Sequence, residues 1–392
     1  MDKKKNILFI TWDAGNTSYL ENLYIPLFAE IQKKKGYQFH VIQFTWAEKD
    51  VIQLRKEKAQ SLGIELKMVS FTNTILSKFK IILKSRHILK SFIKQNSINY
   101  VMPRSYIPGL ICLCSNIQFP LIYDADGLAY LEKKETGKSF LQLQFIRFIE
   151  WAIIKKSNLI LTRTEYAINW YKEQYKSLQH KKFKVVPNGT DARIFFFSSE
   201  LRAGMRKNLG LSENQSLFIY IGSIGAKYGL NQTLDYFDQF NSCYPGSRLL
   251  ILSHFLEEIN NMIPGKLKTH IDLLHVPHND VNAYLNAADA GFCLLHPTES
   301  MKAVHPVKIN EYLLAGLPVI TNKFFSDLNF LKTNLNSLIL SIEPNSTTDW
   351  VQNAHDLINN SDRKAISEDA MKNISLKCAS NVYFCALKSI KK

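Results

Sequence analysis

The sequence predicts an α/β chain built from two doubly wound domains, and three observations carry that expectation. Short β-branched runs alternate with helical stretches along the whole chain, the rhythm of a parallel sheet covered on both faces. A segment dense in turn formers, Val186-Pro187-Asn188-Gly189-Thr190-Asp191, interrupts the rhythm near the middle, after which it restarts. At 392 residues, the chain is also longer than one hydrophobic core comfortably serves.

In order, Ile7 to Thr11 reads as a first strand. Residues 18–35 read as a helix, with Leu20, Leu23, Leu27, Phe28 and Ile31 near helical spacing. Strands follow at Gln38 to Phe44 and 64–69, then a long helix over about 73–95. Tyr100 to Met102 and Pro120 to Tyr123 are short strands, 139–156 is helical, and Leu159 to Thr162 and Phe183 to Val186 close the first half. The second half places strands at Leu217 to Ile221, Leu249 to Leu252, Leu273 to His275, Ala290 to Leu295, Val319 to Thr321 and Ser337 to Leu340. The expected division is residues 1–190, residues 191–365, and a terminal helix over 366–392 packing back on the first domain. Two such domains are expected to face each other across a cleft, with ligands at the carboxyl ends of the strands.

The formal net charge is +15, and all of the excess lies in the first half. Residues 1–190 hold 30 Lys+Arg against 15 Asp+Glu, and residues 191–392 hold 19 of each. Such asymmetry suits an anionic partner. The stretch 73–95 concentrates it: Lys78, Lys80, Lys84, Arg86, Lys90 and Lys94 alternate with apolar residues, and no acidic residue falls between Phe71 and Tyr100. A basic amphipathic helix of this kind suits an anionic membrane surface, and equally a sheet-covering helix with a solvated face. No nucleic-acid-reading motif is present. The six cysteines form no C-x-x-C pair and no zinc pattern, which fits a reducing, cytoplasmic compartment. The N-terminus lacks the pattern of a signal peptide, and no apolar window is long enough to span a bilayer.

The most informative stretch runs from His305 to Ile320. Pro306 suits a helix start, Gly316 its C-terminal cap, and Pro318 prevents continuation. Lys308 in the first turn opposes the helix dipole unless an anion, such as a diphosphate, binds there. Glu311, one turn along, suits the two hydroxyls of a ribose. The loop Gly222-Ser223-Ile224-Gly225 follows a strand, so its backbone can approach phosphate, and Lys227 is placed to neutralise a leaving diphosphate. In the first half, Arg104 and Asp126 each follow a strand, where they suit an acceptor hydroxyl or phosphate; Asp126 also suits the part of a base.

The order P-x-K-x-x-E-Y-x-x-x-G-x-P-V-I over residues 306–320 resembles the donor-binding helix of retaining glycosyltransferases of family 4. Residues 185–191 resemble that family's interdomain junction, Tyr220 to Tyr228 its phosphate-facing loop, and Val281 to Ala290 the helix and strand before the donor site. The resemblance covers about 180–325 well and the first half weakly. It implies the GT-B fold, in which two Rossmann-like domains face one another. It also implies a UDP- or GDP-sugar donor, metal-independent transfer without a cofactor, and an acceptor held by the first domain. Donor binding then falls to Gly222, Ser223, Gly225, Lys227, His254, Val307, Lys308 and Glu311. Acceptor binding falls to Gly15, Arg104 and Asp126, and catalysis to Asp126, Lys227 and Glu311. The chain departs from the family pattern at Ala303, where the earlier of two glutamates eight positions apart is usual, with Glu299 as a nearby substitute. It departs again at Ser223, in place of an arginine, and near Ser253-His254, in place of a second basic residue. The expected function is sugar transfer to a lipid-linked or polysaccharide acceptor at the inner face of a membrane. A nucleotide-sugar binder without turnover and a sugar-nucleotide epimerase are the alternatives. With only His40, His87 and His180 in the first half, histidine-based elimination chemistry is poorly supplied.

Overall fold

The computed structural model describes residues 4–13, 18–212, 214–225, 227–322, 339–342 and 349–390. Gly15 and the first half of the strand expected from Ser337 lie outside them. The chain divides into two compact units. The first comprises Met1–Gly189, Lys302–His305 and Leu376–Lys392, and the second Thr190–Met301 and Pro306–Ser375.

In the first unit, strands β1 (Lys5–Asp13), β2 (Tyr37–Thr45), β3 (Glu65–Ser70) and β4 (Tyr100–Pro103) form a parallel sheet in the order β3-β2-β1-β4. Strands β5 (Ile122–Asp124), β6 (Leu159–Thr162) and β7 (Phe183–Val185) continue it, because single bridges join Val101 to Leu121 and Arg104 to Asp124. Along β1, Ile7 and Phe9 point to one face and Leu8 and Ile10 to the other, so both faces are apolar and both are covered. A single π-type turn, Leu20–Tyr24, leads into α1 (Ile25–Lys33), and α2 (Lys49–Ser61) follows β2. The sequence reading missed α2 because the helix is polar nearly all round; only Arg55 and Ala59 are buried. Helices α3 (Ile75–Gln95), α4 (Tyr106–Cys114), α5 (Ala129–Glu135), α6 (Phe140–Lys156) and α7 (Glu165–Gln174) complete the layers. The α3 start is capped by the Thr74 hydroxyl, which accepts from the Ser77 amide, and the α6 start by a reciprocal Ser139–Gln142 capping box.

The second unit holds one parallel sheet of six strands: β8 (Leu217–Ile221), β9 (Arg248–Leu252), β10 (Ile271–Leu274), β11 (Ala290–Cys293), β12 (Val319–Asn322) and β13 (Ile339–Ile342), in the order β10-β9-β8-β11-β12-β13. Helices α8 (Ser199–Asn208), α9 (Leu230–Cys243), α10 (Leu256–Met262), α11 (Val281–Ala287), α12 (Val307–Leu314), α13 (Asp349–Asn360) and α14 (Arg363–Asn373) cover it. The last helix, α15 (Leu376–Lys388), belongs to the first unit, where Leu376, Ala379 and Tyr383 join the α1 core.

Helix α12 ends as its sequence dictates. Gly316 adopts φ +70°, and Leu317 donates back to the Tyr312 carbonyl at 2.8 Å. A side chain at Gly316 would meet the Arg363 carbonyl oxygen at 2.2 Å. Arg363 itself donates to five carbonyls at the ends of α11 and α12: Leu285, Asn286, Ala288, Ala315 and Gly316. Those groups have no partner inside their helices, and one guanidinium satisfies them. Replacing Gly316 by Ala is expected to cost about 3 kcal/mol, adding left-handed strain to a backbone clash. Gly246→Ala, at φ +90° in open space, is expected to cost only about 1 kcal/mol. Urea unfolding of the two variants checks the difference.

Candidate functional site

Each sheet reverses its winding direction at one point, and side chains gather there at the carboxyl edge. In the first unit the reversal lies between β1 and β4. Asp13 ends β1, Arg104 follows β4, Asp124 ends β5, Asp126 lies two residues on, and Arg163 follows β6. Arg104 donates from Nε to the Tyr24 hydroxyl at 2.9 Å, from one terminal nitrogen to Asp13 at 2.8 Å, and from the other to Asp126 at 2.6 Å. Arg163 donates to Tyr24 at 2.9 Å and pairs with Asp124 at 2.8 Å. The network continues inward: Gln43 donates to Asp13 and accepts from Arg55, which pairs with Glu21 at 3.0 Å.

Burial works to raise the Asp126 carboxyl, but the guanidiniums of Arg104 and Arg163 outweigh it and hold the group below the usual range. Asp124 goes the other way, because burial outweighs Arg163 and the neighbouring Asp126 adds to the rise. Asp126 is therefore an ionised hydrogen-bond acceptor with about a third of its side chain exposed, whereas Asp124 is enclosed. Asp126 stands at φ +60°, an uncommon left-handed conformation for a non-glycine residue. Its loop is held from behind by Glu150 of α6. Tyr171 donates to Glu150 at 3.1 Å and lies equally close to the Gly127 carbonyl, and Glu150 also accepts from the amides of Ala129 and Tyr130. Burial pushes the Glu150 carboxyl up to about 8.

Of the sequence-predicted acceptor residues, the structure brings Arg104 and Asp126 into direct contact. Asp13, Tyr24, Asp124 and Arg163 join them without having been singled out. Charged residues at the ends of apolar strand runs, as in Leu159-Ile160-Leu161-Thr162-Arg163, were the available signal for all but Tyr24.

In the second unit the reversal lies between β8 and β11. Gly222, Ser223, Gly225 and Lys227 follow β8, His254 follows β9, and the segment after β11 leads to Val307, Lys308 and Glu311 at the head of α12. The two sides are sewn together. Tyr228 bridges Leu295, Gly229 donates to the Leu294 carbonyl, and His296 donates to the Lys227 carbonyl. The Tyr312 hydroxyl accepts from the Ile221 amide at 3.1 Å, fixing α12 to the end of β8. Gly291 lets that ring pass; a side chain there would meet it at 2.5 Å.

The Lys308 ammonium lies 2.8 Å from the nearly buried Glu311 carboxylate, with about a third of the lysine side chain exposed. The Gly222 amide is committed to the Leu252 carbonyl, so this glycine serves by having no side chain rather than by offering an N–H. A side chain there would strike the Tyr220 hydroxyl at 2.8 Å. Ser223 turns its hydroxyl to the Ile224 carbonyl. His254 is exposed against His275, ring centroids 4.3 Å apart, and partial burial and that neighbour both lower its pKa. Ala303 is fully buried in the first unit's core, while Glu299 is exposed.

No protein-family model matches the sequence, and neither does any curated protein. Solved structures do resemble it. Anabaena Alr3699/HepE in complex with UDP and glucose superposes with a TM-score of 0.73 at 12% identity, covering 98% of this chain and 100% of that one. WaaG, a glycosyltransferase involved in lipopolysaccharide biosynthesis, gives 0.67 at 15% identity, covering 98% and 100%. A putative UDP-N-acetylglucosamine 2-epimerase from Listeria monocytogenes gives 0.58 at 14% identity, covering 99% and 96%. The chain has the GT-B fold along its whole length.

Two predictions follow from the first-unit cluster. Glu150 holds its proton more tightly folded than unfolded, so its stabilisation is complete below about pH 4.5 and is lost as pH rises to about 8. Glu150→Gln is expected to flatten that slope, read as thermal stability across the range. Arg104→Met leaves Asp13 without its cation and Asp126 with Arg163 alone, at 3.4 Å, and is expected to cost about 3–5 kcal/mol in urea unfolding.

Proposed function

We propose that this chain is a glycosyltransferase that moves a sugar from a UDP- or GDP-sugar to a lipid-linked or polysaccharide acceptor at the cytoplasmic face of a membrane. One observation carries the proposal: Lys308 and Glu311 pair at the head of α12, the helix that Tyr312 fixes to the end of β8 where the second sheet reverses and the glycine loop begins, in a chain whose fold matches, end to end, a structure holding UDP and glucose. The second unit takes the donor. Lys308, Lys227 and the amides at the head of α12 receive the diphosphate, and Glu311 receives the ribose hydroxyls. His254 and Ser223, in place of the usual basic residues, contribute hydrogen bonds rather than charge.

The first unit takes the acceptor. Arg104 and Asp126 form its polar floor, and the low pKa of Asp126 suits it to orienting a hydroxyl rather than removing the proton. Transfer then proceeds with retention. The bond from the anomeric carbon to the phosphate oxygen breaks, the acceptor oxygen bonds to the same face of that carbon, and the acceptor's proton passes to the departing phosphate oxygen. Positive charge at the leaving group comes from Lys227 and Lys308, so no metal is required.

An epimerase reading draws on the same fold, but the structure that supports it superposes less well. The first unit's edge cluster contains no histidine; His40 lies within β2 against Glu65, and His87 is exposed on α3. A binder without turnover is the remaining alternative.

The test is binding and slow hydrolysis across a panel of UDP- and GDP-sugars. Wild type is expected to hydrolyse one donor, with Lys308→Ala and Glu311→Ala each lowering the rate about a hundredfold. Binding without turnover, even with membrane extract supplying acceptors, identifies a degenerate binder. Absence of any nucleotide-sugar binding overturns the proposal.

A further inference from the structure

We infer that the N-terminal halves of α3 and α6 together form a docking face for an anionic lipid bilayer, set beside the edge of the first unit that carries Arg104 and Asp126. The inference deepens the transferase reading by naming the surface on which a lipid-linked acceptor is met, but its observations are independent of that reading.

The two helices share a pattern. On α3, Ile75, Phe79, Leu83, Arg86, Lys90 and Lys94 follow one another at steps of four, four, three, four and four, so they form one stripe. All six are exposed, and the opposite face buries Ile81, Leu89 and Phe92. The stripe is apolar over its first turns and cationic over its last. On α6, Phe140, Leu141, Phe145 and Phe148 are exposed, Ile146, Ile149 and Ile153 are buried, and the exposed face ends in Lys155 and Lys156. Ile75 is 89% exposed, Phe140 71% and Leu141 79%. Side chains this apolar are rarely left so bare in a group on a chain that works alone in water.

Topology puts both patches on one face and at one end. The connections β3 to β4, β4 to β5 and β5 to β6 all advance in the same direction across the sheet, so right-handed crossovers place α3, α4 and α6 on the same side. Side chains from all three helices share one core cluster. A crossover runs from the carboxyl edge, where one strand ends, back to the opposite edge, where the next begins; α3 follows β3 in this way, and α6, preceded by α5, leads back to β6. The apolar halves of α3 and α6 therefore lie at the carboxyl edge, and the lysine-bearing halves extend away from it.

Charge selects the occupant. No acidic residue occurs between Phe71 and Tyr123, while Lys134 and Lys138 stand exposed just before α6. A second copy docked on this face would set lysine against lysine. A bilayer with anionic headgroups takes the aromatic and aliphatic side chains into its interface and the lysines at its surface, each basic residue contributing about 1 kcal/mol.

The experiment is co-sedimentation of the full chain with phosphatidylcholine vesicles, with and without phosphatidylglycerol. Binding is expected only when phosphatidylglycerol is present and is expected to weaken with added salt. Phe145→Glu with Phe148→Glu on α6, and separately Lys90→Glu with Lys94→Glu on α3, are each expected to reduce binding about tenfold or more. Circular dichroism and donor hydrolysis in vesicle-free solution should remain at wild-type levels in both variants, which separates loss of docking from misfolding and from any failure of the transferase reading. Four outcomes overturn the inference: no binding to phosphatidylglycerol vesicles, equal binding to phosphatidylcholine alone, full binding by the α6 variant, or self-association of wild type that the same substitutions abolish.

Discussion

Where β4 and β6 end, two guanidinium groups are buried, and each must be neutralised on the spot. Arg104 does so across three strand ends and the turn before α1, binding Asp13, Tyr24 and Asp126; Arg163 closes the circuit through Asp124. A buried ion pair is weak evidence for stability, since desolvation offsets much of its attraction. Its effect here is geometric. Ser105 at φ +64° and Asp126 at φ +60° sit in backbone conformations that non-glycine residues seldom adopt. The ion pairs, together with the bond from the Ser105 amide to the Asp124 carbonyl at 2.8 Å, hold both loops there.

The second unit solves a different problem with the same residue type. Arg363 has no carboxylate partner among the described residues and spends its donors on helix-end carbonyls. Burial and the neighbouring charge of Arg202 lower its pKa to about 9. That arrangement fixes the tail of α12, while Tyr312 fixes its middle to β8. The head of the helix carries the paired Lys308 and Glu311.

The βαβ alternation, the bounds of α12 and its Gly316 stop were legible because each rests on local chemistry: apolar periodicity, a proline that tolerates a first turn, a glycine that tolerates positive φ. Strand ends were less legible. β5 starts two residues later and ends one later than the apolar run suggested, and β11 stops at Cys293. The stretch from Phe140 to Ile154 is apolar on nearly every face, so its periodicity could not say which side meets the sheet; only packing leaves Phe145 and Phe148 outside. Tyr24 carries no local signal for its role, because partners 80 and 139 residues away in sequence, Arg104 and Arg163, define it.

The placement of α15 has a consequence for how the protein is made. Tyr383 and its neighbours complete the core over α1, yet they emerge from the ribosome only after the whole second unit has been synthesised. Until then the α1 side of the first unit presents an uncovered apolar surface to the cell. The nascent first half is thus a natural client for chaperones, and an isolated fragment ending near Gly189 would lack part of its own core.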